Sequence, residues 1–138
     1  MKNKAPLALM ELTVMILIFS LAAALCLRAF VWADIRSAEG KNEDMALLQA
    51  QNAAEAIKAS GGDFAAAAKL LGGQWNGRTL QLDFDENWKT TVQNGVFLLQ
   101  AGMTENDTNY LGSGSVKILD QRGNPLAQLD ICWQEVAP

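Results

Sequence analysis

Histidine is absent from the chain. That removes the usual general base at neutral pH and the commonest zinc ligand. Cysteine is scarce, with Cys26 and Cys132 the only 2. Cys26 lies in an apolar run and Cys132 in an alternating segment near the C-terminus, so no disulfide between them is expected. With no histidine to activate it, Cys132 reads as a structural thiol and not a nucleophile. Positive charge is not in excess either: 11 Lys and Arg face 15 Asp and Glu, a net charge of −4. Without a basic patch, binding of nucleic acid through phosphate neutralisation is not expected. Gly112-Ser113-Gly114 lacks the lysine and the following helix of a phosphate loop. These absences argue against an enzyme and against a resident cofactor.

Charge is missing from one stretch in particular. Glu11 is the only charged residue between Ala5 and Leu27. An acid at the centre of a membrane helix costs roughly 2.5–3.5 kcal/mol, and a place near the helix end lowers that cost. After Glu11 the run Leu12–Trp32 is interrupted only by Arg28, which can snorkel toward the far interface. At ~1.5 Å per residue it makes about 31 Å of helix, close to the hydrocarbon thickness of a bilayer. Lys2 and Lys4 precede the run, whereas Asp34, Glu39, Glu43 and Asp44 outnumber Arg36 and Lys41 beyond it. The expectation is a single pass through a cell membrane, with a cytoplasmic N-terminus and an extracytoplasmic head. Near the boundary, Glu11 can pair with Lys4 or be solvated by headgroups. A cleaved secretory signal is the competing reading, with Ala22-Ala23-Ala24 as small residues for a cut. The acid at the n/h junction and the length of the apolar run oppose it.

The remaining hundred or so residues suffice for one modest core. From Met45 to Ile57 the chain is rich in strong helix formers, and Leu47, Ala50, Ala54 and Ile57 make a stripe at 3-4-3 spacing. Gly40 can loosen the helix without ending it; Gly61-Gly62 ends it. Asp63 is placed to cap a short helix over Phe64–Leu71, which Gly72-Gly73 stops. Strands are expected at Thr79–Phe84, Gly95–Gly102, Ser115–Leu119 and Leu126–Trp133, with Glu105–Gly114 a loop. Between the last two strands, Asp120–Pro125 is a hairpin signal, with Gly123 at positive φ. The fold class is therefore α+β, one long helix followed by a small antiparallel meander. Its core is expected where the stripe meets Leu80, Leu82, Phe97, Leu99, Ile118, Leu129 and Ile131.

Leu7-Ala-Leu-Met-Glu11-Leu12, followed by about twenty apolar residues, resembles the N-terminus of type IV pilin-like proteins, including type II secretion pseudopilins. The resemblance covers the first fifty to sixty residues, and the rest is similar in architecture. It implies a leader over 1–6 and a membrane and filament-core helix over 7–33. An amphipathic helix with a short second helix would occupy 34–73, and the sheet of the head 74–138. It further implies a cut between Pro6 and Leu7 by a prepilin peptidase, and a role for Glu11 in assembly. The implied partners are other pilin-like subunits, the peptidase, an assembly platform protein and the lipid bilayer. The chain departs from the family pattern in having Pro6 in place of glycine before the cut, Leu7 as first residue, and Arg28 at the position of a helix-breaking proline. Paired C-terminal cysteines are absent too. A minor or divergent subunit of a type IV pilus, competence pseudopilus or type II secretion-like filament fits these departures better than a major pilin. The alternative is a membrane-anchored or secreted binding domain with no filament role.

Some pseudopilins bind calcium, which singles out Asp83, Asp85 and Glu86 as weak candidates. The segment lacks the glycine and the distal glutamate of an EF-hand, and a solvated strand end is the simpler reading. Trp75, Trp88 and Trp133 are expected to pack on the helix.

Overall fold

A computed structural model describes residues 4–105 and 110–135. Lys2 and part of the expected Glu105–Gly114 loop lie outside them. The fold is α+β: a long N-terminal helix packs on a small antiparallel sheet. Helix α1 (Ala5–Ala59) is followed by α2 (Phe64–Leu71), β1 (Gln74–Trp75), β2 (Thr79–Phe84), β3 (Thr90–Thr91), β4 (Phe97–Thr104), β5 (Leu111–Leu119) and β6 (Pro125–Gln134). The chain divides into two units, Met1–Gly40 and Lys41–Pro138.

In the second unit the strands lie in the order β1-β2-β4-β5-β6, all antiparallel, and β3 also pairs with β2. The last four long strands form the expected meander. The two-residue strands β1 and β3 were not expected. They are too short to show alternation, and together they line one edge of β2. Strand β6 forms the opposite edge.

Alternation places one face of the sheet in the core. Leu80, Leu82 and Phe84 of β2, Phe97, Leu99 and Ala101 of β4, Val116 and Ile118 of β5, and Ile131 and Trp133 of β6 are buried. The helix contributes Ala46, Ala50, Ala53, Ala54 and Ile57 to the same core. The expected stripe is therefore right at three positions and wrong at Leu47, which is 41% exposed. The buried arc is centred nearer Ala50 and Ile57, and Ala46 and Ala53 close its far side. Leu47 falls at the margin, where a large side chain fits better than under the sheet. Leu129 is only half-buried, because β6 is an edge strand with no neighbour to cover it.

Two strand limits also need correction. The fourth strand begins at Phe97 and not Gly95, since Asn94 turns at φ 58° and Gly95 sits against the Asp83 side chain. The fifth begins at Leu111, so Gly112 and Gly114 are strand residues and not loop. Both are buried there, and a Cβ at Gly112 would occupy the Trp133 indole. Glycine within a strand here marks a close approach and not a turn.

The turns follow their chemistry. Asp63 accepts from Ala65 N–H and Ala66 N–H at 3.0 and 3.1 Å as the N-cap of α2, and Gly72 closes α2 in the left-handed conformation. In the β5–β6 hairpin Asp120 Oδ1 accepts from Arg122 N–H and Asn124 N–H, each at 2.8 Å, and Gly123 has φ 81°.

Candidate functional site

In the first unit every described residue from Lys4 to Glu39 is exposed. That includes Leu7, Leu12, Ile16, Phe19, Leu25 and Phe30, the last 75% open. A helix that is apolar all round is the kind found in the core of a large protein or across a membrane. By length and composition this helix can cross a membrane. Its hydroxyls are compatible with such a setting. Thr13 Oγ1 donates to Leu9 O and Ser20 Oγ to Ile16 O, both at 2.8 Å, so neither needs water.

Glu11 is exposed on this helix and shares a shallow groove with Lys4, Leu7, Val14, Met15 and Ile18. Lys4 and Glu11 thus lie toward one side, seven residues apart, whereas direct partners on a helix surface stand three or four apart. Pro6 and Leu7 lie inside the first turn of α1, where a proline is tolerated because its missing N–H has no helical acceptor. The helix therefore begins before the proposed cut, and hydrolysis between Pro6 and Leu7 requires that first turn to open.

One feature of this unit escaped the sequence reading. The Arg36 guanidinium lies over the Trp32 ring, 5.2 Å from its centroid. The signal was present as a Trp and an Arg at i and i+4, the spacing that brings helical side chains together.

The other candidates sit in the second unit. Asp85 Oδ1 accepts from Asn87 N–H at 2.8 Å and Lys89 N–H at 2.9 Å, which ties its carboxylate into the β2–β3 turn. Asp83 packs against Gly95 on the neighbouring loop, and Glu86 is exposed. Among the described residues no group of three carboxylate, thiol or imidazole side chains is placed to hold a metal. The cluster organises a turn.

Trp88 and Trp133 are buried and Trp75 is half-buried. Trp88 stacks on Phe97 at 4.1 Å and donates its indole N–H to Asn42 Oδ1 at 3.4 Å. Its φ of 60° is unusual for a bulky residue, and the stacked, buried ring holds it there. Trp133 meets Phe64 edge-on at 5.8 Å, and Phe64 stacks on Trp75 at 5.5 Å. Trp88 and Trp133 belong to the core, and Trp75 packs against it. Cys26 and Cys132 are both free and exposed. Comparison with known protein families, with curated proteins and with solved structures returns no match.

Proposed function

We propose that this chain is a structural subunit, minor or divergent, of a type IV pilus, competence pseudopilus or type II secretion-like filament. It waits in the cell membrane as a single-pass protein, N-terminus in the cytoplasm and head outside, and assembles through the first part of α1. The observation that carries this reading is the exposed, all-round apolar helix with a single acid, Glu11, near its start. In a bundle of such helices, Glu11 meets a neighbouring subunit's cationic N-terminal group. Pairing two buried charges adds little net stability but sets the register between neighbours. The second reading, a membrane-anchored binding domain, is favoured by Pro6, which occupies the residue before the cut and stiffens the bond to be hydrolysed.

Glu11→Ala separates the two. Membrane insertion is expected to hold or improve, because an expensive carboxylate is gone. Recovery of the chain in sheared filaments is expected to fall about tenfold, the equivalent of roughly 1.4 kcal/mol in assembly. Pro6→Gly is expected to increase leader removal by a co-expressed prepilin peptidase. Unchanged filament recovery in Glu11→Ala, with no peptidase dependence in either background, would move the protein to the second reading.

A further inference from the structure

The apolar helix admits two membrane registers. If Leu7–Leu27 fills the hydrocarbon, Glu11 is buried about four residues, or ~6 Å, inside the near boundary. If Leu12–Trp32 fills it, Glu11 stands at that boundary and Arg28 lies about 6 Å inside the far one. Each choice puts one charge in the apolar layer, so hydropathy alone does not decide between them.

Resting on the membrane reading above, we propose that the Trp32–Arg36 pair fixes the second register by seating in the phospholipid headgroup layer, with the Arg36 guanidinium holding a lipid phosphate. Trp32 is 64% exposed, a large amphipathic ring left uncovered by its own chain. Ile35, three residues on and on the same side of the helix, is exposed as well. Such a ring with a guanidinium 5.2 Å from its centre suits neither hydrocarbon nor bulk water. At the interface the ring meets acyl chains and glycerol while the cation meets phosphate. Helical side chains lean toward the N-terminus, which brings Arg36 back over Trp32 and level with it. The ring attracts the cation through its π-face and takes up none of the guanidinium's planar fork of N–H donors, which can make a bidentate bond to phosphate. Arg28 precedes Trp32 by four residues and lies on the same side of the helix, so its long stem can snorkel to the same layer. Asp34 falls on the other side, about 160° from Trp32, and does not compete for this position.

Native Cys26 measures the register. It lies about 9 Å inside the far boundary when Leu12–Trp32 spans, and within ~2 Å of it when Leu7–Leu27 does. The full chain carrying Cys132→Ser, labelled at Cys26 with a small fluorophore, is reconstituted in phosphatidylcholine vesicles containing one quarter phosphatidylglycerol. Lipids spin-labelled on the acyl chain or on the headgroup then quench the label from known depths. Acyl-chain quenching should exceed headgroup quenching at Cys26. Adding Trp32→Ala and Arg36→Gln together should reverse that order, with the melting temperature of the head unchanged. A label at headgroup depth in the otherwise unaltered chain overturns the proposal while leaving the membrane reading intact. So does a label whose depth ignores the double substitution. A label quenched freely by aqueous iodide and by neither lipid overturns the membrane reading itself.

Discussion

Residues 5–40 and 41–59 belong to one helix and differ in what their side chains meet. In the first stretch the large apolar side chains point in every direction and stay exposed. In the second, the buried positions are Ala46, Ala50, Ala53, Ala54 and Ile57, four of the five alanine. The backbone does not distinguish these settings, because its i→i−4 hydrogen bonds are satisfied within the helix in either case. Side-chain volume does. A face that meets its own sheet must fit a fixed, close-packed surface, and small residues let the helix lie near it. A face addressed to lipid or to neighbouring helices needs apolar area all round more than it needs fit. The contacts that α1 makes within the fold are therefore concentrated in its last turns, and the rest is long and apolar enough to cross a membrane.

An acid on each side of this division tests it most strongly. Ile57 is fully buried, so Ile57→Asp places an unpaired carboxylate in the core and should destabilise the head by about 4 kcal/mol. Ile16 is exposed, so Ile16→Asp should leave the melting temperature of the head unchanged. It should instead weaken insertion into a bilayer by about 3 kcal/mol. Thermal unfolding of the full chain in detergent reads the first effect, and vesicle partitioning reads the second. A common loss of melting temperature in both variants would erase the distinction between the two stretches.

Glycine sharpens the comparison at a smaller scale. A Cβ at Gly112 would collide with the Trp133 indole, whereas nothing lies within 4 Å of one at Gly40. Gly112→Ala should therefore cost about 2 kcal/mol by overpacking. Gly40→Ala should stabilise by up to about 1 kcal/mol, through helix propensity alone. Urea midpoints of the two variants should move in opposite directions. A neutral Gly112→Ala would show that the Trp133 ring can shift aside.

Much of this fold could be read from the residues because local chemistry and tertiary structure agree. Asp63, Gly72 and Gly123 each do in the fold what their residue types favour locally. The alternation of Thr79–Phe84 matches its burial along the whole strand. The failures share a cause, which is that a distant partner decided the outcome. Gly112 and Gly114 have the composition of a loop, and pairing with β6, and with β4 at Gly114, makes them strand. Leu47 is the largest residue of the expected stripe, and only the close approach of helix and sheet moves it outward in favour of Ala46. In the candidate membrane segment, Glu11 stands out in one dimension because it is alone among apolar residues. The Trp32–Arg36 pair is legible as an i, i+4 spacing but is masked by the charges that follow it, until the guanidinium is seen over the ring.

The smallest expected effect belongs to the β5–β6 hairpin and confines itself to the head. Asn124 N–H, and after it the Asn124 side chain and Arg122, hold the Asp120 carboxyl below its usual range. A carboxyl whose pKa is lowered by folding contributes its stability above the unfolded value of about 3.9, and loses it as the pH falls through the folded value. Asp120→Asn retains an Oδ1 that can accept from Arg122 N–H and Asn124 N–H. It removes the charge and the Oδ2 acceptor that Asn124 Nδ2 uses at 3.2 Å. The wild-type chain should therefore melt slightly above Asp120→Asn from pH 7 down to about pH 5, and the gap should close below pH 4. Because the carboxylate is solvent-exposed, salt should narrow the gap as well. Partitioning of the first part of α1 into vesicles should be the same for both proteins at each pH, since Asp120 belongs to the other unit. A melting gap that widens in acid would mean that the neutral carboxylic acid, and not the carboxylate, is the form the turn prefers.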